Sequence, residues 1–264
     1  EPQHICQGEI TITLIDDMGI SSFVVDSETT VEDLENSSNG FKKQLQKGKN
    51  VAFVIRKGAL SYAEKIIYKN NYSMMREEII EHIVSVTGGD PIISTTGKAS
   101  RELFEIRERN SQSHKYDFLT VGSMGHSSSI ALGVAINKTD RKVWCIDGDG
   151  AALMHMGAMA VIGANRPDNL VHILINNEAH ETVGGMPTVS KKVNMVEIAK
   201  ACGYGYVVSV DSFEKLVEEL KKVKEIQCLS FVEVKCSVGA REDLGRPTTT
   251  ALENKENFMK YLSE

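Results

Sequence analysis

The sequence has no apolar run approaching the roughly 20 residues that a membrane-spanning helix needs, which argues against a helical membrane protein. Cysteine is scarce. The five residues Cys6, Cys145, Cys202, Cys228 and Cys236 are odd in number and form no C-x-x-C pair. That pattern speaks against a disulfide framework and for a reduced, cytoplasmic setting. Basic excess is also lacking: 30 Lys and Arg stand against 36 Asp and Glu, for a net charge of −6. The short runs Lys42/Lys43/Lys47/Lys49 and Lys221/Lys222/Lys224 suit solvated helix faces and helix ends. No basic stripe marks a nucleic-acid binder. No Gly-x-Gly-x-x-Gly follows the first strand-like run, which argues against a dinucleotide-binding Rossmann domain. No signal-peptide pattern is read at the start, and the first residue is Glu1 rather than Met.

What is present is an alternation of strand-like and helix-like segments, the pattern of an α/β fold. Helices are expected over 8–18 and 41–48, with strands over 21–26 and 51–56. Residues 57–72 lose the apolar pattern and read as a linker, its boundaries set at 61–72. A helix is expected from Ser73, taken as its cap, to Val86. Strands are expected over 91–94, 118–121, 142–146, 170–176, 206–210 and 229–235. Helices fall between and after them, over 100–109, 127–137, 151–164, 193–202, 212–223 and 254–262. Strands such as VHILI are apolar for most of their length, as in a parallel sheet covered on both faces. The expected architecture is a doubly wound parallel sheet with helices on both faces, binding its ligand at the carboxyl ends of the strands.

Four strand-end loops carry candidate chemistry. Ile146-Asp147-Gly148-Asp149-Gly150-Ala151 runs from an apolar strand into a helix. Glycines let backbone approach an anion, and free N–H groups at a helix start can bind it. Asp149 between them would repel a bare phosphate, so a cation between the two makes chemical sense, and Mg²⁺ shares its oxygen ligands between protein and phosphates in this way. After Gly150, 26 residues intervene before Asn177 in Ile175-Asn176-Asn177-Glu178-Ala179. One helix and one strand fill that span, which returns Asn177 to the sheet edge of Asp149. The third loop is Val121-Gly122-Ser123-Met124-Gly125-His126. The fourth, Ser94-Thr95-Thr96-Gly97-Lys98, opens a helix and offers Thr96, Gly97 and Lys98 to an anion; it lacks the Walker spacing.

Gly-Asp-Gly followed at this distance by Asn-Asn resembles the metal–diphosphate motif of thiamine-diphosphate-dependent enzymes. The resemblance implies the diphosphate-binding domain of that fold, with thiamine diphosphate and Mg²⁺ as cofactors. It implies Asp149, Asn177 and the main-chain carbonyl of Ala179 as metal ligands, and Gly148, Gly150 and Ala151 against the diphosphate. Ala151 replaces a small hydroxyl residue common in the family, so main-chain groups would make that contact. The third loop is similar to the segment that bends thiamine, with Met124 as the wedge, the main-chain groups of Gly122 and Met124 pairing with the aminopyrimidine edge, and Ser123 among the cofactor contacts. Bending presses the amino group toward the reactive thiazolium carbon.

Two further stretches are similar to phosphonopyruvate decarboxylases: 176–188 (NNEAHETVGGMPT) and 241–248 (REDLGRPT), the second shared in part with sulfopyruvate decarboxylases. Both substrates are 2-oxoacids with a second anionic group. The resemblance makes Arg241, Arg246 and Lys98 candidates for that anion. It makes His180 the candidate proton donor. His4, His82, His114, His155 and His172 form no pattern. Glu178 stands where a glycine is expected. The family's activating Glu lies in a separate pyrimidine-binding domain, supplied by the same or another chain. Residues 1–60 resemble only the end of such a domain, and 73–264 the cofactor-binding domain. The expectations are a homo-oligomer and a chain that holds cofactor weakly and does not turn over by itself. The alternatives are a sulfopyruvate decarboxylase subunit and a non-catalytic cofactor-binding subunit.

Overall fold

The computed structural model describes residues 2–63 and 68–264 and divides the chain into two compact units, 1–66 and 67–264. Residues 64–67 of the expected linker lie outside the described residues.

In the first unit α1 (Pro2–Asp17) leads to β1 (Ser21–Val25), α2 (Val31–Leu45) and β2 (Val51–Ile55). β1 and β2 pair in parallel, Ser21 opposite Val51. α2 starts ten residues before the expected 41, at Val31. Thr30 caps it: its side chain accepts from the Asp33 N–H, and Asp33 returns the bond in a capping box. The Asn36-Ser37-Ser38-Asn39-Gly40 run hides this helix from propensity, because these side chains compete with the backbone for its hydrogen bonds.

The second unit runs α3 (Arg76–Thr87), β3 (Ile92–Ser94), α4 (Lys98–Arg109), β4 (Asp117–Leu119), α5 (Ser127–Asn137) and β5 (Val143–Gly148). It continues with α6 (Asp149–Met154), α7 (Gly157–Asn165), β6 (Leu170–Asn176), and the short pair β7 (Ala179–His180) and β8 (Met186–Pro187). α8 (Met195–Cys202), β9 (Tyr206–Val210), α9 (Phe213–Glu225), β10 (Ser230–Lys235) and α10 (Ala251–Ser263) complete it. Ser73 is not the cap of α3. Met75 takes that position without a side-chain bond. The helix expected over 151–164 is two helices, broken at His155 and Met156.

Six strands form one parallel sheet in the order β4-β3-β5-β6-β10-β9. All seven residues of β6 are buried. Alternation along β6 sends Val171, Ile173 and Ile175 to one face and Leu170 and Leu174 to the other. The first set packs with residues of α3, α4 and α9, including Ile83, Leu103 and Leu216. The second packs with residues of α5, α7, α8 and α10, including Ala131, Ile162, Ala199 and Phe258. From β3 the chain steps outward to β4, then returns to the other side of β3 as β5. The order therefore reverses between β3 and β5. A sheet of this kind leaves its ligand crevice at the carboxyl ends of those strands. No described helix is long and apolar enough to cross a membrane.

Candidate cofactor site

The crevice at that switch point is a pocket. The loop after β3 lines it with Thr95 and Thr96, and the first turn of α4 with Lys98 and Ala99. The β5–α6 turn contributes Asp147, Gly148, Asp149, Gly150 and Ala151, and the loop after β6 contributes Asn177, Ala179, His180, Glu181 and Thr182. Met124, Arg76 and Ile175 complete the wall. Four separate loops therefore meet in one place, and the parallel register explains why. Gly148 pairs with Ile175, so Asp149 and Asn177 leave neighbouring strands at nearly the same height.

Asp149 is buried at the first position of α6. The Thr188 hydroxyl donates to its Oδ2 at 2.5 Å, and Ser190 Oγ lies 2.9 Å from the same oxygen. Burial pushes its carboxyl above the ordinary range, against the pull of those two hydroxyls and the Gly150 N–H. Its pull toward the charged form comes from hydroxyl and N–H donors and a more distant His180, and no cationic side chain of the described residues forms an ion pair with it. Such a carboxylate suits a hard cation.

Asn177 is held by its neighbours. Its Oδ1 accepts the Ala179 N–H at 3.1 Å, and its Nδ2 donates to Glu181 Oε2 at 2.9 Å. Asn70 Nδ2 donates to its carbonyl at 2.9 Å. Asn176 points its Nδ2 to Glu233 at 2.7 Å, and its Oδ1 accepts the Glu178 N–H at 3.1 Å. The two asparagines thus have different tasks: Asn176 organises the turn, and Asn177 faces the pocket.

Glu178 has φ +60°, a backbone conformation that favours glycine. Its carboxylate explains how a non-glycine residue is kept there. Tyr68 OH donates to Oε2 at 2.6 Å and Tyr72 OH to Oε1 at 2.9 Å. Both phenols are pushed up to about 12, Tyr68 chiefly by this bond and Tyr72 by burial and then by the bond. The end of the expected linker thereby fastens the Asn177 loop.

Gly150 marks a close approach. A Cβ there would stand 2.5 Å from His180 Nδ1 and 3.3 Å from Met124 Cε. Gly125 has φ +85°, and a Cβ would meet the Ala151 carbonyl at 2.8 Å. The Met124 loop is therefore seated directly on the Gly-Asp-Gly turn. Gly97 caps α4. Gly122 and Ser123 are exposed and lie outside the pocket lining, although Met124 N–H donates to the Gly122 carbonyl at 2.6 Å.

The structure does not bring Arg241 to this pocket. Its guanidinium pairs with Glu77 at 3.0 Å, with Asp243 at 3.0 Å and with Glu105. Those carboxylates organise the segment after β10 against α3 and α4. Arg246 is exposed and also absent from the pocket lining.

Two pocket residues have no sequence signal. Arg76 Nε and Nη2 bond both oxygens of buried Glu102 at 2.7 and 2.8 Å, and Nη1 reaches Glu181 at 2.7 Å. Burial works against its charge, but the two carboxylates more than compensate and raise its pKa. Glu181 also takes Lys98 Nζ at 2.6 Å. Burial pushes Glu181 up, but Arg76 and Lys98 outweigh it and hold it below the ordinary range. The partners lie 26 and 105 positions from Arg76, beyond any local pattern. His172 is not idle either. It sits fully buried between Tyr204 OH at 3.0 Å and Asp147 Oδ2 at 3.4 Å, behind the turn.

The profile of the thiamine pyrophosphate enzyme C-terminal TPP binding domain matches residues 95–234, which contain most of this pocket. Phosphonopyruvate decarboxylase of Streptomyces viridochromogenes is 36% identical over 172 residues, 65% of this chain and 42% of that protein. The chain thus spans less than half the length of that relative. Sulfopyruvate decarboxylase subunit beta of Methanocaldococcus jannaschii is 39% identical over 156 residues, 58% of this chain and 79% of that protein. Among solved structures, benzoylformate decarboxylase from Polynucleobacter necessarius shares the fold with a TM-score of 0.51 at 14% identity, covering 67% of this chain and 36% of that one. The switch-point pocket, the profile and these relatives agree: the chain belongs to the thiamine-diphosphate-dependent decarboxylase family and carries its C-terminal, cofactor-binding domain.

Proposed function

We propose that this chain supplies the diphosphate- and Mg²⁺-binding half of an enzyme that decarboxylates phosphonopyruvate to phosphonoacetaldehyde and CO₂. The observation that carries the reading is the placement of Asp149 and Asn177 at the ends of adjacent strands, facing one pocket. Their oxygens, with the Ala179 carbonyl, match the hard ligands that Mg²⁺ takes alongside diphosphate. Asp149 is buried and forms no ion pair with a Lys or Arg among the described residues, and Gly150 leaves open a cradle that a Cβ would fill.

The cofactor, when bound, supplies the electron sink for loss of CO₂. The chain's own residues position and shield. Thr188 and Ser190 hold the Asp149 carboxylate, and the Glu178 carboxylate, fastened by two tyrosines, holds the Asn177 loop. Met124 stands against Gly150, where it would support the cofactor. His180, with Nδ1 beside Gly150, is the group placed to hold or deliver a proton. In this reading the activating carboxylate would come from a pyrimidine-binding domain of the same or another chain, and the 264 residues alone are expected to bind cofactor without turnover.

The M. jannaschii relative supports a second reading. It is named a beta subunit, and the match covers 79% of it, which fits a sulfopyruvate decarboxylase assembled from two chains. The test is CO₂ release from phosphonopyruvate, sulfopyruvate and pyruvate by this chain joined to its pyrimidine-binding half. The expected result is preference for phosphonopyruvate. Equal rates with pyruvate overturn the substrate assignment, and turnover by the chain alone overturns the division of labour.

A further inference from the structure

Glu102, Arg76, Glu181 and Lys98 form a chain of alternating charge. Its links are 2.7 and 2.8 Å, then 2.7 Å, then 2.6 Å. The side chains are 1%, 8%, 9% and 31% exposed in that order. The first three are buried and fixed, and the chain ends on an ammonium at the pocket wall. Two carboxylates and two cations cancel, so the cluster carries no net charge, but its open end is positive. Lys98 Nζ has three N–H donors and gives one to Glu181. Among the described residues no other group takes the remaining two, which are open to a ligand.

We infer that Lys98, held by Glu181 and Arg76, is the residue that selects substrates bearing a second anion, a phosphonate or sulfonate. The inference rests on the decarboxylase reading above and names the determinant of its specificity. Diphosphate is the competing partner, and the position of Glu181 decides between the two. One of its oxygens takes the Asn177 Nδ2 and the other takes Lys98 Nζ. A carboxylate therefore stands between Lys98 and the Asn177 corner. A diphosphate held at Asn177 would meet that negative charge before the ammonium. An anion approaching from the Thr96 side would meet Lys98 directly, since Thr96 and Lys98 line the pocket from the end of the β3 loop and the start of α4. Lysine is a compact point charge suited to a tetrahedral anion. Arg76 does not touch the ligand in this scheme. It is a positioning residue acting through Glu181.

The test compares wild type, Lys98→Met and Lys98→Arg in the enzyme completed with its pyrimidine-binding half. KM and kcat are measured for phosphonopyruvate, sulfopyruvate and pyruvate. Titration calorimetry separately measures thiamine diphosphate with Mg²⁺, and then phosphonoacetate added to the cofactor-loaded enzyme. Lys98→Met is expected to raise KM for phosphonopyruvate at least tenfold more than KM for pyruvate. It should weaken phosphonoacetate binding at least tenfold, change thiamine diphosphate affinity less than threefold, and be rescued in part by arginine. Equal KM changes for all substrates, or a loss of cofactor affinity matching the loss for phosphonoacetate, would assign Lys98 to the cofactor and overturn the inference while leaving the family function intact. If wild type decarboxylates none of the three acids, the functional reading falls, and phosphonoacetate binding alone decides the subsite: Lys98-dependent binding upholds it and its absence refutes it.

Discussion

Replacing Glu178 separates two opposing terms that the structure makes explicit. The residue sits at φ +60°, which costs an L-residue about 1 kcal/mol relative to glycine. Its carboxylate accepts two phenol hydroxyls at 2.6 and 2.9 Å. Each bond to the charged group is assigned about 1.5 kcal/mol, the low end of the range, because both tyrosines are only partly buried. Glu178→Gly loses about 3 and regains about 1, a net loss of about 2 kcal/mol. Glu178→Ala loses the same bonds and keeps the backbone cost, a loss of about 3 kcal/mol. For a unit of this size each kcal/mol lowers Tm by about 2–4 °C, so the glycine variant should melt about 4–8 °C below wild type and the alanine variant lower still. Calorimetric melts of both variants, with Tyr68→Phe and Tyr72→Phe to complete double-mutant cycles, check this. A glycine variant as stable as wild type, or an alanine variant more stable than the glycine one, would refute the clamp. The same variants should weaken thiamine diphosphate binding, because the Glu178 carbonyl accepts the Thr188 N–H at 2.8 Å and Thr188 in turn holds Asp149.

Gly150→Ala places a Cβ 2.5 Å from His180 Nδ1, so the imidazole must swing away by about 1 Å, and a misplacement of that size costs on the order of 10²-fold in rate. Because a mobile ring gives way rather than backbone, the melting temperature should fall little while kcat of the completed enzyme drops; an unchanged kcat would remove His180 from the reaction. Glu181→Gln tests the charge chain through pH. Burial alone would raise the Glu181 carboxyl, but Arg76 and Lys98 hold it below its ordinary value. Its ionised form therefore contributes stability in full above the unfolded value near 4.5, and loses it as pH falls through the lower folded value. The Tm gap between wild type and Glu181→Gln should be widest above pH 5 and close on acidification; a gap independent of pH contradicts the ion pairs.

The parallel sheet was legible because covered strands are continuously apolar, and VHILI in β6 is buried at every position. That Asp149, Asn177, Lys98 and Met124 share one pocket was legible because they follow strand ends, and strand alternation returns those ends to one edge. Arg76 and Glu181 were not legible, since only the tertiary fold brings positions 105 residues apart into an ion pair. Arg241 shows the converse: a guanidinium in a family-like segment looked suited to a substrate anion, but Glu77, Glu105 and Asp243 already claim it. α2 was half missed because its Asn/Ser/Gly run masks the capping box that starts it. His172 carried no pattern because its partners, Asp147 and Tyr204, lie 25 and 32 positions away.

The central claim is that Asp149 and Asn177 tie a divalent cation, and through it a diphosphate, to the ends of β5 and β6. Titration of thiamine diphosphate into the protein, with Mg²⁺ and with chelator, in wild type, Asp149→Asn and Asn177→Ala tests it most directly. Binding should require Mg²⁺ in wild type and weaken by about 10²-fold or more in both variants, while their circular dichroism stays native. Metal-dependent binding of wild-type strength in either variant would contradict the account.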